Sequence, residues 1–245
     1  MLNFILLILE IFVIGFILLS MHFMRKQVGL GTLYVFVGSL QFIQTLLVSS
    51  VYDNEFLNFR FSPGSTIFYT STLFSILLFF HYEGVKKTRG LIYGILISNV
   101  TVTLFSHFLL IHAENDSASN SVFLEELLSF ELSLFLVGTS LMYLEALLIV
   151  FLYQFLNLKF PKKGQFLKIL FTMSIVCFID SVLFYSFFYF NKDNFQELML
   201  GNIVGKQITT LLLSFLFWVY FKYNKSKKMK EEPKSFKDTF KIFTF

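Results

Sequence analysis

The 245-residue chain holds one cysteine, Cys177, with three prolines and one tryptophan. A lone thiol has no partner within the chain, which excludes a small disulfide-stapled scaffold. Three prolines exclude a proline-rich or collagen-like chain. Histidine is scarce too. His22, His81, His107 and His112 are scattered and, with Cys177 alone, form no metal-ligand spacing. No G-x-S-x-G, P-loop or H-E-x-x-H run is present. Neither an enzymatic reaction nor a cofactor is therefore expected. Charge is the largest deficit, at 15% of residues against about 25% in soluble domains. What fills the space is apolar: 56% hydrophobic residues, with 36 Phe. The mean hydropathy is +0.70. A soluble fold of this size has no interior large enough for that much apolar surface. The composition excludes a soluble enzyme, a disordered chain and a nucleic-acid module, and it predicts a polytopic membrane protein.

A membrane-spanning helix needs roughly 20 apolar residues. Seven such stretches are read, at about 3–22, 28–52, 66–82, 90–113, 131–155, 166–190 and 198–220. They are too long and too uniformly apolar for barrel strands. The first stretch lacks the basic flank that precedes a signal-peptide core, and Arg25 and Lys26 follow it, so it reads as a retained helix. Every second connector is basic: Arg25 and Lys26; Lys86, Lys87 and Arg89; Lys159, Lys162 and Lys163; then the lysine-rich tail. The alternate connectors carry Asp53, Glu55, Arg60, Glu114, Asp116, Glu125, Glu126, Lys192, Asp193 and Glu197. Basic connectors face the cytoplasm. The expectation is an all-α bundle of about seven transmembrane helices, N-terminus outside and C-terminus cytoplasmic. Residues 1–221 form the bundle and 222–245 a basic juxtamembrane tail.

The formal net charge of +4 is the sum of −1 over the rest of the chain and +5 in that tail, which holds eight Lys and three acids. Its neighbours are expected to be anionic lipid headgroups. Phe236, Phe240 and Phe243 recur at i, i+4 and i+7 among Lys234, Lys237 and Lys241, the pattern of an amphipathic helix. A second short amphipathic stripe, Val122, Phe123, Leu124, Leu127 and Leu128, closes the longest external connector.

Polar side chains inside apolar spans usually face a cavity or a partner, because lipid solvates them poorly. At 1.5 Å per residue from the outer end, Glu10, Gln41, Gln44, His107, Asp180, Lys206 and Glu145 all lie about 9–20 Å deep. Several spans thus place polar groups in one layer, as a pocket open to the outside requires. Asp180 and Lys206 read either as a structural ion pair between consecutive spans or as the charged part of that pocket. Glu10 and His107 read equally as groups bonded to a neighbouring helix. His22, His81 and His112 stand at span ends and read as interfacial. Gly201-x-x-x-Gly205 permits close helix packing, or opens room beside Lys206. Cys177 reads as a small apolar filler.

A lysine in the seventh span, with Asn202-x-x-x-Lys206 before it, is also a feature of microbial rhodopsins. The third span has no carboxylate for a counter-ion, and the single Trp218 lies near the cytoplasmic end. Both count against retinal.

Several runs, in order, resemble the vitamin-uptake and queuosine-precursor transporter family. They most resemble its relatives that serve as N-terminal membrane sensory domains of bacterial histidine kinases and diguanylate cyclases. They are Gly29-Leu30-Gly31-Thr32-Leu33-Tyr34, Ser62-Pro63-Gly64-Ser65, and Glu83-Gly84-Val85-Lys86-Lys87-Thr88-Arg89-Gly90 with Asn99. Then come Val137-Gly138-Thr139 with Glu145, Asp180-Ser181-Val182-Leu183-Phe184, and Gly205-Lys206. The run 236–245 resembles the linker into the signalling module of the sensory relatives. The transporter branch has an acid in span three that is missing here, and these 245 residues hold no kinase or cyclase module, so output is expected through a separate partner. The resemblance implies a six-helix core with one extra helix and a sensory use.

The expected function is recognition of a small polar or planar metabolite from the outer side, coupled to cytoplasmic signalling in a bacterial cell membrane. Asp180 and Lys206 would polarise the ligand. Gln41, Gln44, Asn99 and Glu145 would form a hydrogen-bonding wall, with His107 and Glu10 near it. Import of such a metabolite is the alternative, and a structural subunit without ligand is a third. The expected partners are the bilayer, the small molecule, and a cytoplasmic signalling protein or a second copy as a homodimer. Nucleic acid is not expected. In the inner halves the polar residues are small (Ser39, Thr72, Ser98, Ser174, Ser214), which favours a one-sided pocket over a route across.

Overall fold

The computed structural model describes residues 2–48, 52–54, 59–115, 132–191 and 194–224. The apolar runs form helices because only intra-segment hydrogen bonds satisfy the backbone in hydrocarbon. In chain order these are α1 (Leu2–Phe23), the single turn α2 (Arg25–Val28) and α3 (Gly31–Leu47). A ribbon of β1 (Tyr52–Asn54) and β2 (Phe59–Phe61) comes after α3. Next are a π-helical segment (Gly64–Tyr69), α4 (Thr70–Asn115), α5 (Leu132–Lys159), α6 (Gln165–Phe188) and α7 (Phe195–Tyr223). Five stretches are long and apolar enough to cross a membrane: Leu2–Phe23, Gly64–His112, Leu136–Lys159, Gln165–Phe188 and Phe195–Tyr223. Gly31–Leu47 is a shorter apolar helix. The amphipathic stripes expected at 122–128 and 236–243 lie outside the described residues.

Two features depart from the sequence reading. The stretch 28–52 is not one helix. Gly29 (φ 79°) separates α2 from α3, and α3 ends at Leu47, where the Ser62 hydroxyl donates to the Leu47 carbonyl at 2.8 Å. That bond satisfies one of the carbonyls left bare at a helix end. The chain then pairs Tyr52 with Phe61, Asp53 with Arg60 and Asn54 with Phe59 as an antiparallel ribbon, so the described fold is helical with one small β element.

The expected connector between 82 and 90 is reduced to one residue. Gly84 has φ 81° and ψ 178° within otherwise continuous helix, a region essentially reserved for glycine. A straight helix would hold Tyr69 and Asn99 about 45 Å apart. Both line one cavity, so the two limbs of α4 fold back on each other at Gly84.

The interior is packed by Leu7, Ile11 and Leu18 of α1, Phe74, Leu77 and Phe79 of α4, Val150 of α5, Val176 of α6, and Leu213 and Phe217 of α7, all buried. The outward faces are also apolar, with Phe16, Val35, Phe178 and Phe215 half exposed or more. Apolar surface on both sides is the pattern of a bundle solvated by lipid. The predicted small-residue contact is realised at α7. A Cβ on Gly201 would collide with the Arg60 carbonyl of β2, and one on Gly205 would come within 2.7 Å of Thr66 Cγ2. The stripe packs α7 against the ribbon and the π-helical segment.

Candidate ligand-binding cavity

The polar residues of the bundle collect at two levels. At the ribbon end, a cavity of about 100 Å³, measured as space open to the centre of a water molecule, is lined from six segments. The end of α3 supplies Gln44, Thr45 and Val48; the π-helical segment Ser65 and Tyr69; the second limb of α4 Asn99 and Thr103. The remaining walls are Gly138 and Thr139 of α5, Asp180 and Phe184 of α6, and Asn202 and Lys206 of α7. The π-helical geometry is local to 64–69. Such segments are often found at functional sites, and this one carries two lining residues.

The predicted charged pair is present. Lys206 Nζ donates to Asp180 Oδ2, with side chains 3% and 5% exposed. The ammonium also sits 5.0 Å from the centre of the Tyr69 ring, an arrangement that stabilises a cation by the ring's negative face. Tyr69 in turn donates to Glu145 Oε2 at 2.6 Å, leaving Glu145 Oε1 buried with no hydrogen-bond partner. Asn202 is engaged through both amide atoms: its Nδ2 donates to Ser65 Oγ at 2.5 Å and its Oδ1 accepts from Ser181 Oγ at 2.9 Å. Hydrogen bonds thus tie α6 and α7 to the π-helical segment around the cavity wall.

Of the residues singled out in the sequence, Asp180, Lys206, Gln44 and Asn99 line the cavity. Glu145 joins it indirectly through Tyr69. Gln41 is buried beside it and donates from Nε2 to Thr72 Oγ1 at 2.9 Å. Glu10 lies on α1, which contributes no lining residue, and His107 is exposed on the second limb of α4. Tyr69, Ser65, Thr139 and Asn202 were missed as site residues. Hydroxyls and a tyrosine inside apolar spans look like ordinary helix content. Spacing offered one signal for Asn202, which stands one turn before Lys206. Among the described residues no group of three or more metal-ligating side chains occurs.

The second level closes the other end of the bundle. Arg25 Nε donates to Glu83 Oε1 at 2.7 Å, and Lys87 Nζ to Glu83 Oε2 at 2.5 Å. His22, at the end of α1, is fully buried, with Nδ1 2.7 Å from Tyr220 Oη. Tyr220 Oη accepts from Asn224 Nδ2 at 2.5 Å, and Tyr82 Oη donates to the Asn224 carbonyl at 3.2 Å. The His81 ring stacks on Phe221 at 4.1 Å and faces Tyr153 Oη at 2.9 Å. The end of α1, the fold-back of α4 and the end of α7 are thereby clasped together. Arg25, which follows α1, and Lys87, just past the fold-back of α4, meet at this end on Glu83.

A family model described as vitamin uptake-like sensor matches residues 15–221. No curated protein and no solved structure matches the chain. The matched span contains every cavity-lining residue and every residue of the clasp but Asn224. With that match over most of its length, and with long apolar helices around a cavity that carries polar groups in its wall, the chain belongs to the vitamin uptake-like sensor family.

Proposed function

We propose that this protein is a multi-pass sensor of the cell membrane that binds a small polar or planar metabolite in the cavity from the outer side. The two limbs of α4 and the short α3 bring the crossings to seven. The end holding Arg25, Lys87 and Lys222 is cytoplasmic by the charge of its connectors. The ligand's arrival is passed on through α7, which carries Asn202 and Lys206 at the cavity and Tyr220 and Asn224 at the clasp. A cytoplasmic signalling partner or a second copy of the chain receives it beyond residue 224.

One observation carries this reading: polar groups from six segments converge on a cavity at one end, while the clasp closes the other. Import, the competing reading, requires the clasp to open and a route past Leu77, Phe74 and Phe217, all buried and apolar. A structural subunit would have no use for a cavity with polar walls.

The test is thermal unfolding of the detergent-purified protein across a metabolite panel, since a ligand that binds only the folded state raises the midpoint. A Cβ on Gly138, a lining residue, would meet nothing within 4 Å. Gly138→Leu therefore fills space rather than breaking packing. A hit whose shift disappears in Gly138→Leu supports the cavity. Absence of any hit, or hits indifferent to that substitution, would sink it. Proteoliposome uptake of a hit separates import from sensing.

A further inference from the structure

Resting on the reading of this cavity as a ligand site, we infer that its ligand is electrically neutral and presents an amide-like edge. It is gripped by Gln44, Asn99 and Thr139 rather than by the ion pair. The charged groups of the lining are already matched to each other. Lys206 donates to Asp180 and both are almost completely buried. A charged ligand would either add an unpaired charge to a poorly solvated site or separate that pair and strand one member. Both are strongly unfavourable.

The remaining polar groups divide into committed and free. Asn202 spends its amide on Ser65 and Ser181. Tyr69 gives its hydroxyl proton to Glu145, and Thr45 gives its own to the Gln41 carbonyl at 2.9 Å. By contrast, Gln44 Oε1 and Thr139 Oγ1 are buried with no hydrogen-bond partner. Asn99 Nδ2 has only the Met142 sulfur, at 3.6 Å, and a thioether is a weak acceptor. These three come from α3, the second limb of α4 and α5. Buried polar groups are normally satisfied, so a bound molecule is the natural source of the missing bonds. An amide edge supplies an N–H for Gln44 Oε1 and a carbonyl for Asn99 Nδ2, and Thr139 serves as donor or acceptor. Tyr69 and Phe184 add aromatic surface for a flat molecule. Glu145, the remaining buried carboxyl nearby, is not among the lining residues.

Two sets of probes separate charge from shape. Acetamide, acetate and acetamidinium have nearly one shape and three charges. Benzamide, benzoate and benzamidinium repeat the series with a ring. Each is titrated into the purified protein at matched ionic strength while the unfolding midpoint is followed. The neutral amide of at least one set is expected to raise the midpoint at about tenfold lower concentration than its charged counterparts, a factor of ten being one decade in affinity. Gln44→Leu and Asn99→Leu should each remove that shift while keeping the helical circular dichroism of the parent. A charged probe that equals or exceeds the amide overturns the inference and leaves the cavity standing. An amide shift that survives both leucine substitutions places the probe elsewhere and overturns it too. If no probe shifts the midpoint, the amide class is wrong, and the metabolite panel decides separately whether the cavity binds anything.

Discussion

Tyr69 on the π-helical segment and Glu145 on α5, 76 positions apart in sequence, are joined by a buried hydrogen bond of 2.6 Å. The other oxygen of that carboxyl group is buried without a hydrogen-bond partner. Tyr69→Phe should therefore destabilise the protein by about 1–3 kcal/mol, the penalty for leaving a buried polar group unmade. Glu145→Leu in the Tyr69→Phe background should recover part of the loss, because it removes the stranded group. Thermal unfolding of the two variants checks this, and a double variant no more stable than Tyr69→Phe would contradict it.

The Asp180–Lys206 pair predicts a strongly non-additive cycle. Asp180→Asn strands a buried ammonium and should cost roughly 3–5 kcal/mol. Lys206→Met strands the carboxylate with a similar effect. The double variant should recover much of either loss, since neither charge remains. Denaturation of all four forms in one detergent gives the coupling energy. Simple additivity would show that the two groups do not stabilise each other.

The two partners of Glu83 should differ in weight. Arg25 and Glu83 are 10% and 9% exposed, whereas Lys87 is 51% exposed. Removing Lys87 as Lys87→Met should cost no more than about 1 kcal/mol, as at other solvated ion pairs. Glu83→Gln weakens both contacts at once and should cost about 1.5–3 kcal/mol, the usual worth of bonds to charged groups. Equal losses in the two variants would mean that the solvated arm matters as much as the enclosed one.

The direction of the bundle has its own test. In a background where Cys177 is replaced by Ala, Ser117→Cys should react with a membrane-impermeant maleimide in intact cells. Lys227→Cys should react only after the membrane is opened. Labelling of position 227 in intact cells would reverse the orientation and move the cavity to the cytoplasmic side.

How lipid treats side chains decides which parts of the site were legible in the sequence. Asp180 and Lys206 stood out because a charge in an apolar run is costly and needs an explanation, and they do meet. Gln44 was legible as a polar group at the same depth, and Asn99 only through the resemblance of the runs around it. Depth, however, says nothing about which face of a helix a residue occupies. Glu10 and His107 read at that same depth yet do not line the cavity, because the rotation of each helix is set by packing. Tyr69 was one of 11 tyrosines, and its role depends on the π-helical register at 64–69, for which the sequence carries no marker. The ribbon of β1 and β2 was hidden because Asp53, Glu55 and Arg60 read as a short mixed-charge connector, with no apolar alternation to mark a strand. The fold-back was visible only as Glu83-Gly84 between two apolar runs, and nothing there indicated that a single residue would suffice.

That economy at Gly84 fixes the phase of the second limb. Both limbs are helical up to the turn, so there is no slack to absorb a change in length. One inserted residue would rotate the second limb through about 100°, turning Asn99 and Thr103 out of the cavity and toward lipid. No residue near a ligand would have changed, yet recognition would be lost. The hairpin is thus constrained in length as well as in kind, and it behaves like the tooth spacing of a gear, where a single miscount disengages the whole wheel.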